Sequence, residues 1–333
     1  MSAMIVIEPG EPEVLKPASV PIAWPAGSDQ ALVRLKAAGL NPADVYFRRF
    51  GPYVGDGKNC ILGHDGAGVV EEVGAGVKSF KVGDPVCFCH GGIGAAPGTY
   101  AEYAVVPEAL LVKKPENVSF VEAAALPLVF ITLWESLSER AGVKKDEFVL
   151  IHAGAGGTGH IGVQVARLLG GRVAATVSSR EKADLVTTLG AERPILYREE
   201  DFVAAARDWT EGKGLHVALD NVGDEVMKRT IPAMAIYGRI VTLMGTPGDT
   251  EGEEAYNGNL TIHNVMMLTP MWRGMQARLR EQADMVRQGI AWLAEGRLKV
   301  HIEQTYPLAE VAAAHRRMEA GGVIGKLVLT MEQ

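Results

Sequence analysis

The segment His152-Ala-Gly-Ala-Gly-Gly-Thr-Gly-His160 constrains this chain more than any other. Gly154, Gly156 and Gly159 have the spacing G-x-G-x-x-G, directly after the apolar run Phe148–His152. Ile161–Leu169 follows, with helical apolar spacing. A strand that turns on such a loop into a helix gathers free N–H groups and the positive end of a helix dipole, which attract a pyrophosphate. The first glycine permits the tight turn, the second admits the phosphate to the backbone, and the third lets helix pack on strand. Gly157 and Thr158 belong to the same loop. The alternative is a glycine-rich turn without a ligand, and the context weighs against it. Strand-like runs at Arg172–Ser178, Arg193–Tyr197, Val217–Asp220 and Arg239–Met244 alternate with helix-like Glu181–Leu189, Phe202–Trp209 and Glu225–Ala235. Repeated strand–helix units build a parallel sheet covered on both faces.

The second strand decides which dinucleotide fits. A carboxylate about 20 residues after the loop would hold a ribose 2′-OH and favour NAD. Here the strand ends Thr176-Val-Ser-Ser-Arg-Glu-Lys182. The hydroxyls of Ser178 and Ser179 and the cations Arg180 and Lys182 stand where that carboxylate would be, and a cation there pairs a 2′-phosphate. Glu181 lies between them, at the helix start, and points outward. NADP(H) is the predicted cofactor.

The remainder of the chain reads differently. Up to about residue 120, short β-branched runs alternate with turn residues: Ala31–Leu35, Gly68–Val73, Asp84–Phe88 and Tyr100–Val106. That spacing predicts a small β-barrel-like domain. Val118–Ala141 reads as helix, Gln276–Leu293 as one amphipathic helix, and Gly325–Leu329 as a closing strand. At 333 residues the prior is two domains. With 47% apolar and 22% charged residues the chain is too hydrophobic for disorder. Its net charge of −7, with no basic cluster, argues against nucleic acid. No run reaches the roughly 18 apolar residues of a membrane span, and the N-terminus lacks a leader pattern. Three cysteines, Cys60, Cys87 and Cys89, cannot all pair, which fits a reducing, cytoplasmic setting.

Several motifs in order then carry a resemblance. Ala38-Gly-Leu-Asn-Pro-Ala-Asp44, Leu62-Gly-His-Asp-Gly-Ala-Gly-Val-Val70, Val82-Gly-Asp-Pro-Val86 and Gly98-Thr-Tyr-Ala-Glu-Tyr103 precede the glycine loop. Tyr197-Arg-Glu-Glu-Asp201, Asp220-Asn-Val-Gly223 and Gly325-Lys-Leu-Val-Leu329 follow it. Almost end to end, the chain resembles the medium-chain dehydrogenase/reductase superfamily, and within it the zinc-independent quinone oxidoreductases similar to zeta-crystallin. The resemblance implies an α/β protein: a GroES-like β-barrel catalytic domain plus a Rossmann doubly wound parallel-sheet cofactor domain, with the active site in the cleft. The domain limits drawn on it are 1–124 for the catalytic domain, 125–272 for the Rossmann domain, and 273–333 returning to the catalytic domain. It also implies a homodimer joined through the last Rossmann strand. Asn41 and Thr132 then face the nicotinamide side, and Gly156 and Gly157 the pyrophosphate. Ser178, Lys182 and Tyr197 match positions that hold the 2′-phosphate. Asn221, Met244, Gly245 and Lys326 match positions lining the cofactor cleft.

Zinc-dependent relatives carry a Cys where this chain has Asn41, a Gly-His-Glu where it has Gly63-His64-Asp65, and a Cys near Leu128. A catalytic zinc takes three protein ligands plus water. Only His64, and weakly Asp65, remain of that set. Cys87-Phe-Cys89-His90 departs from the C-x₂₋₄-C spacing and reads more simply as buried thiols. No metal is predicted.

Without a metal to polarise a carbonyl, the acceptors that fit are quinones and enones, whose conjugation spreads the charge arriving with hydride. Asn41, Tyr46 and Tyr53 are the predicted catalytic residues, the two phenols matching tyrosines that flank the quinone pocket. Packing is the alternative role for both phenols, and Asp44 and His64 are read as supporting residues. Met266–Trp272 offers an apolar substrate edge, or else core or dimer packing. Three rival functions remain: an NADPH-dependent alkenal or enone reductase, a zinc-type alcohol dehydrogenase, and an NADPH-binding structural or regulatory protein.

Overall fold

The computed structural model describes residues 1–22, 24, 27–51, 60–93, 96–245 and 252–331. The strand Phe148–Ile151 that enters the glycine loop sits inside a six-stranded parallel sheet. The order is Arg193–Leu196, Arg172–Val177, Phe148–Ile151, Leu215–Asp220, Met234–Thr242, Thr261–Asn264. The chain runs from the third position out to one edge, then returns and fills the other side, which is the Rossmann order. Strands buried on both faces need apolar side chains throughout. Leu150, Ala174, Ile195, Ala218 and Ile240 accordingly share one core with Phe202, Ala206 and Met227 from the helices.

Backbone contacts divide the chain into Thr132–Met267, which contains this sheet, and a unit made of Met1–Ile131 with Leu268–Gln333. The hub of that unit is Gln30–Gly39. It pairs antiparallel with Asp65–Val73, Tyr103–Pro107 and Lys326–Thr330. Two register shifts against Asp65–Val73, at Leu32/Val33 and Leu35/Ala37, curl the sheet. Pro85–Cys89 and Val112–Lys113 extend it on one side and Ile302–Pro307 on the other. Leu15–Ser19, Ser2–Val6 and Cys60–Ile61 form a second, three-stranded sheet. The helix Phe120–Ala125 lies directly on the hub, since a Cβ at Gly39 would stand 2.3 Å from the Ala124 carbonyl oxygen. A capping box starts that helix: Glu122 N–H donates to Ser119 Oγ and Ser119 N–H to the Glu122 carboxylate.

The structure differs from the sequence reading in several places. Val118–Ala141 is not one helix, because Pro127 lacks an N–H and opens a new one. Phe120–Ala125 and Pro127–Leu133 are followed by a wider π-helical segment, Trp134–Arg140. The divisions fall at 131/132 and 267/268 rather than at 124/125 and 272/273. Packing explains both: Phe130 meets Trp292 edge to face, and Trp272 meets Phe47 likewise, all inside the first unit. The helices Pro42–Phe50 and Val311–Glu319 and the strand Thr261–Asn264 add to what the sequence reading held.

Candidate active site

In the Rossmann unit, Ala153 turns the chain with φ +49°, its N–H donating to Thr176 Oγ1, while Gly154 N–H donates to the Thr176 carbonyl. The three glycines serve distinct ends. A Cβ at Gly154 would stand 2.7 Å from Ala175 Cβ, and one at Gly159 would stand 2.1 Å from the Ala153 oxygen, so these two are demanded by the protein's own packing. At Gly156 a Cβ meets only the Ala153 oxygen, at 3.3 Å. Its bareness leaves room outward, where a pyrophosphate sits against such a loop. Gly157 and Thr158 are half-buried at the start of the ten-residue helix Gly159–Leu168. His160 Nδ1 lies 2.9 Å from the Gly156 carbonyl and ties the loop to the helix.

Adjoining strand ends are locked together. Asp220 accepts the N–H groups of Val222 and Gly223 on one oxygen and the Thr242 hydroxyl on the other. Thr242 Oγ1 in turn accepts the Met244 N–H. Asn221 donates to the His152 carbonyl at 2.8 Å, and its Oδ1 is buried with no partner among the described residues. An orphaned acceptor next to a glycine loop fits a donor group on a bound dinucleotide. Met244 is exposed and Gly245 adopts φ +84°. Thr132 is buried, its carbonyl accepting the Ser136 hydroxyl.

At the end of Arg172–Val177, Tyr197 N–H donates to the Val177 carbonyl, which brings the half-exposed Tyr197 beside Ser178. Ser179 caps the helix Arg180–Thr188 by accepting the Lys182 N–H. Arg180, one of the two predicted phosphate partners, pairs instead with Glu199 at 2.8 Å. Lys182 has no acidic partner among the described residues. The segment thus offers one cation, two hydroxyls and, through the neighbouring strand end, a phenol, the residue types that suit a 2′-phosphate.

The first unit holds a buried polar cluster. Asn41 starts the helix Pro42–Phe50, and its N–H donates to Asp44, three residues on. Its side-chain amide donates to Asp65 Oδ2 at 2.9 Å and accepts from Lys326 Nζ at 2.6 Å. Lys326 also donates to the Leu40 carbonyl, so two of its three hydrogens are used inside the fold. Predicted to line the cofactor, Lys326 is thus a buried clamp on Asn41. The other oxygen of Asp65 accepts the Leu128 N–H. Burial pushes the Asp65 carboxyl up to about 6 and Asp44 up to about 7, with Lys326 opposing both. Burial also lowers the Lys326 ammonium, against the attraction of Asp65 and Asp44. His64, wholly buried, is held down to about 4 by the same loss of water.

Tyr46 lies half-exposed on this helix, its ring 4.8 Å from Phe50 and 5.9 Å from Phe47. Phe47 touches both Trp272 and His64. Tyr53 lies outside the described residues. The residues at the zinc position do not fit zinc. Asn41 offers an oxygen already bonded to an ammonium, and both Asp65 oxygens are taken. Among the described residues no three His, Cys, Asp or Glu side chains form a metal-holding group. Cys89 lies against Asp65, which together with burial keeps its thiol protonated. The sequence reading missed that Asp44, Asp65, Asn41 and Lys326 form one unit. The available signal was a charged residue set within an apolar run, as Lys326 is before Leu-Val-Leu.

Residues 27–116 match the alcohol dehydrogenase GroES-like domain family, and residues 189–329 match the family described as zinc-binding dehydrogenase. The chain is 35% identical to a quinone oxidoreductase of Pseudomonas aeruginosa, over 96% of each protein. It is 32% identical to a 2-haloacrylate reductase of a Burkholderia species, over 98% of each. The structure of Escherichia coli quinone oxidoreductase complexed with NADPH superposes with a TM-score of 0.87 at 29% identity, covering 99% of this chain and 100% of that one. A GroES-like barrel, a Rossmann sheet and kinship along nearly the whole chain agree: the protein belongs to the medium-chain dehydrogenase/reductase superfamily, in its quinone oxidoreductase family, and is an oxidoreductase.

Proposed function

We propose that the protein uses NADPH to reduce a quinone or another activated, enone-type acceptor by hydride transfer, without zinc. The observation that carries the reading is the strand end Thr176–Lys182, which presents Ser178, Ser179 and Lys182, the last without an acidic partner among the described residues, where an NAD site would hold a carboxylate. The E. coli relative's NADPH complex agrees with it. NADPH supplies the hydride. The backbone of Gly154–Gly159 and the helix that follows hold the pyrophosphate, while Lys182, Ser178 and Tyr197 hold the 2′-phosphate. In this reading Asn41 and Thr132 serve the nicotinamide side, and Asn221, Met244 and Gly245 line the cofactor. Lys326 and Asp65 fix the Asn41 amide with one N–H to spare, a preorganised donor. The Tyr46, Phe47, Phe50 and Trp272 rings offer a flat acceptor a stacking surface, and the Tyr46 hydroxyl offers it a hydrogen bond.

The test is NADPH oxidation by chelator-treated protein against quinones, enones and aldehydes, with NADH in parallel. Metal-free oxidation with quinones or enones and a preference for NADPH supports the reading. Turnover of aldehydes alone, restored by zinc, refutes it. Likeness to a 2-haloacrylate reductase favours activated alkenes as the second reading, and the same panel separates them. We further propose that Thr261–Asn264, an edge strand bonded on one side by Met234–Thr242, joins two copies of the chain. A reducing, cytoplasmic setting belongs to the same reading, and the three free cysteines support it.

A further inference from the structure

Four wholly buried side chains of the first unit stand in a row: His315, Tyr100, Asp44 and His64. Tyr100 Oη lies 3.0 Å from His315 Nε2. The same hydroxyl is a hydrogen-bonding neighbour of the Asp44 carboxyl. Asp44 Oδ1 stands 3.8 Å from His64 Nδ1. Four atoms of this row have no hydrogen-bond partner among the described residues: Asp44 Oδ1 and His64 Nδ1 at the inner gap, His64 Nε2 at one end and His315 Nδ1 at the other. Buried polar atoms are rarely left bare, so both ends call for partners beyond those the described residues supply, among which the Gly63 and Gly91 backbone are the only hydrogen-bonding neighbours of His64. The gap at Asp44 and His64 is the kind that closes when a substrate binds.

We propose that these four groups are a proton relay, with His64 Nε2–H as the acid that protonates the reduced acceptor. The inference rests on the reductase reading above. Two-electron reduction leaves an anionic oxygen or carbon on the acceptor. His64 gives it the Nε2 proton and takes the Asp44 carboxyl proton at Nδ1. Asp44 takes the Tyr100 hydroxyl proton, Tyr100 takes the His315 Nε2 proton, and water supplies one at His315 Nδ1. One proton enters and one leaves. Proton exchange with water returns both imidazoles to the Nε2–H tautomer, and rotation of the Asp44 carboxyl and the Tyr100 hydroxyl resets the row.

Burial suits the row to this task because it favours the neutral form of every member. His64 and His315 are lowered to about 4 and about 3, Asp44 is raised to about 7, and Tyr100 is raised well above its ordinary value. The charged neighbours are Asp65 and Lys326 beside Asp44, and Arg48 and Glu319 beside His315; Asp65 acts on His64, which in turn acts on His90. Arg48 opposes a proton lodging on His315, and Glu319, a fifth exposed, leads towards water.

The test combines turnover with a resting-state readout. Tyr100→Phe keeps the ring and cuts the row. The expected result is a fall in kcat of tenfold or more and loss of the solvent isotope effect, with NADPH affinity by fluorescence titration unchanged. His64→Ala is expected to lose activity and regain it with added imidazole. Wild-type kcat and isotope effect in a folded Tyr100→Phe protein, or no imidazole rescue, would overturn the relay. Nitrogen-15 NMR at pH 7 reads the same row without turnover, even if a variant fails to fold. Neutral His64 and His315, each protonated on Nε2, support it; an Nδ1 proton on either refutes it. Those tautomers in a protein that reduces no acceptor would refute the reductase reading alone.

Discussion

The Asp44 carboxyl is wholly buried and titrates near 7, against 3.8 for the free group. Between those values the folded protein holds a proton that the unfolded chain has released. The sign follows from linkage: this contribution to stability is complete below about pH 3.8 and is lost as pH rises towards 7. Over that interval a single such group removes about 1.4 kcal/mol per pH unit, hence about 3 kcal/mol between roughly pH 4.5 and 6.5. Asp44→Asn preserves an acceptor for the Asn41 N–H and leaves Asp65 to offset Lys326, but it does not titrate. The variant is therefore expected to gain on the wild type by about 3 kcal/mol across that range and to run parallel to it above about pH 8. Urea unfolding at four pH values measures this. Hydrogen exchange in the strand Gln30–Gly39 reads opening of the first unit separately. Parallel pH dependence throughout would show that Asp44 is ionised in the fold and refute the reasoning.

Three further outcomes follow from named contacts. Lys182→Ala is expected to raise the NADPH KM about 30-fold, equivalent to about 2 kcal/mol of charge-assisted bonding, with little change for NADH in steady-state assays. Gly39→Ala sets a Cβ 2.3 Å from the Ala124 oxygen and is expected to cost about 1–3 kcal/mol of stability, read in the same urea titrations. Gly156→Ala and Gly159→Ala should diverge: the first melts like wild type while binding NADPH at least tenfold more weakly, whereas the second, 2.1 Å from the Ala153 oxygen, lowers the melting temperature as well.

The Rossmann unit was legible because its signals are local. A strand buried on both faces, such as Phe148–Ile151, advertises itself as an apolar run, and the glycine spacing of the following loop marks the turn. The barrel was harder. Its hub Gln30–Gly39 gains meaning from Lys326–Thr330, some 290 residues along, and no local pattern reports that pairing. Pro127 was visible but was outweighed by the alanine- and leucine-rich stretch around it. The bond from Lys326 to Asn41 was not legible, because sequence gives a residue's type and not the direction of its ammonium. Tyr100 and His315 escaped notice for the same reason: a hydroxyl and an imidazole 215 positions apart have no joint signature.

The interruption of the first unit by the second has a consequence for how the protein is made. Gln30–Gly39 leaves the ribosome long before Lys326–Thr330, by roughly 15 to 60 s at synthesis rates of about 5–20 residues per second. In that interval the contiguous segment Thr132–Met267 already contains all six strands of its sheet. The barrel does not: one edge of its hub, along Ala37–Gly39, stays bare. Asn41 likewise lacks the ammonium that later holds its amide, and Asp44 and Asp65 lack their counter-charge. Until then it is costly to take these carboxylates out of water. Closure of the barrel therefore waits on the strand that carries Lys326, which completes both the hub's edge and the bond to Asn41.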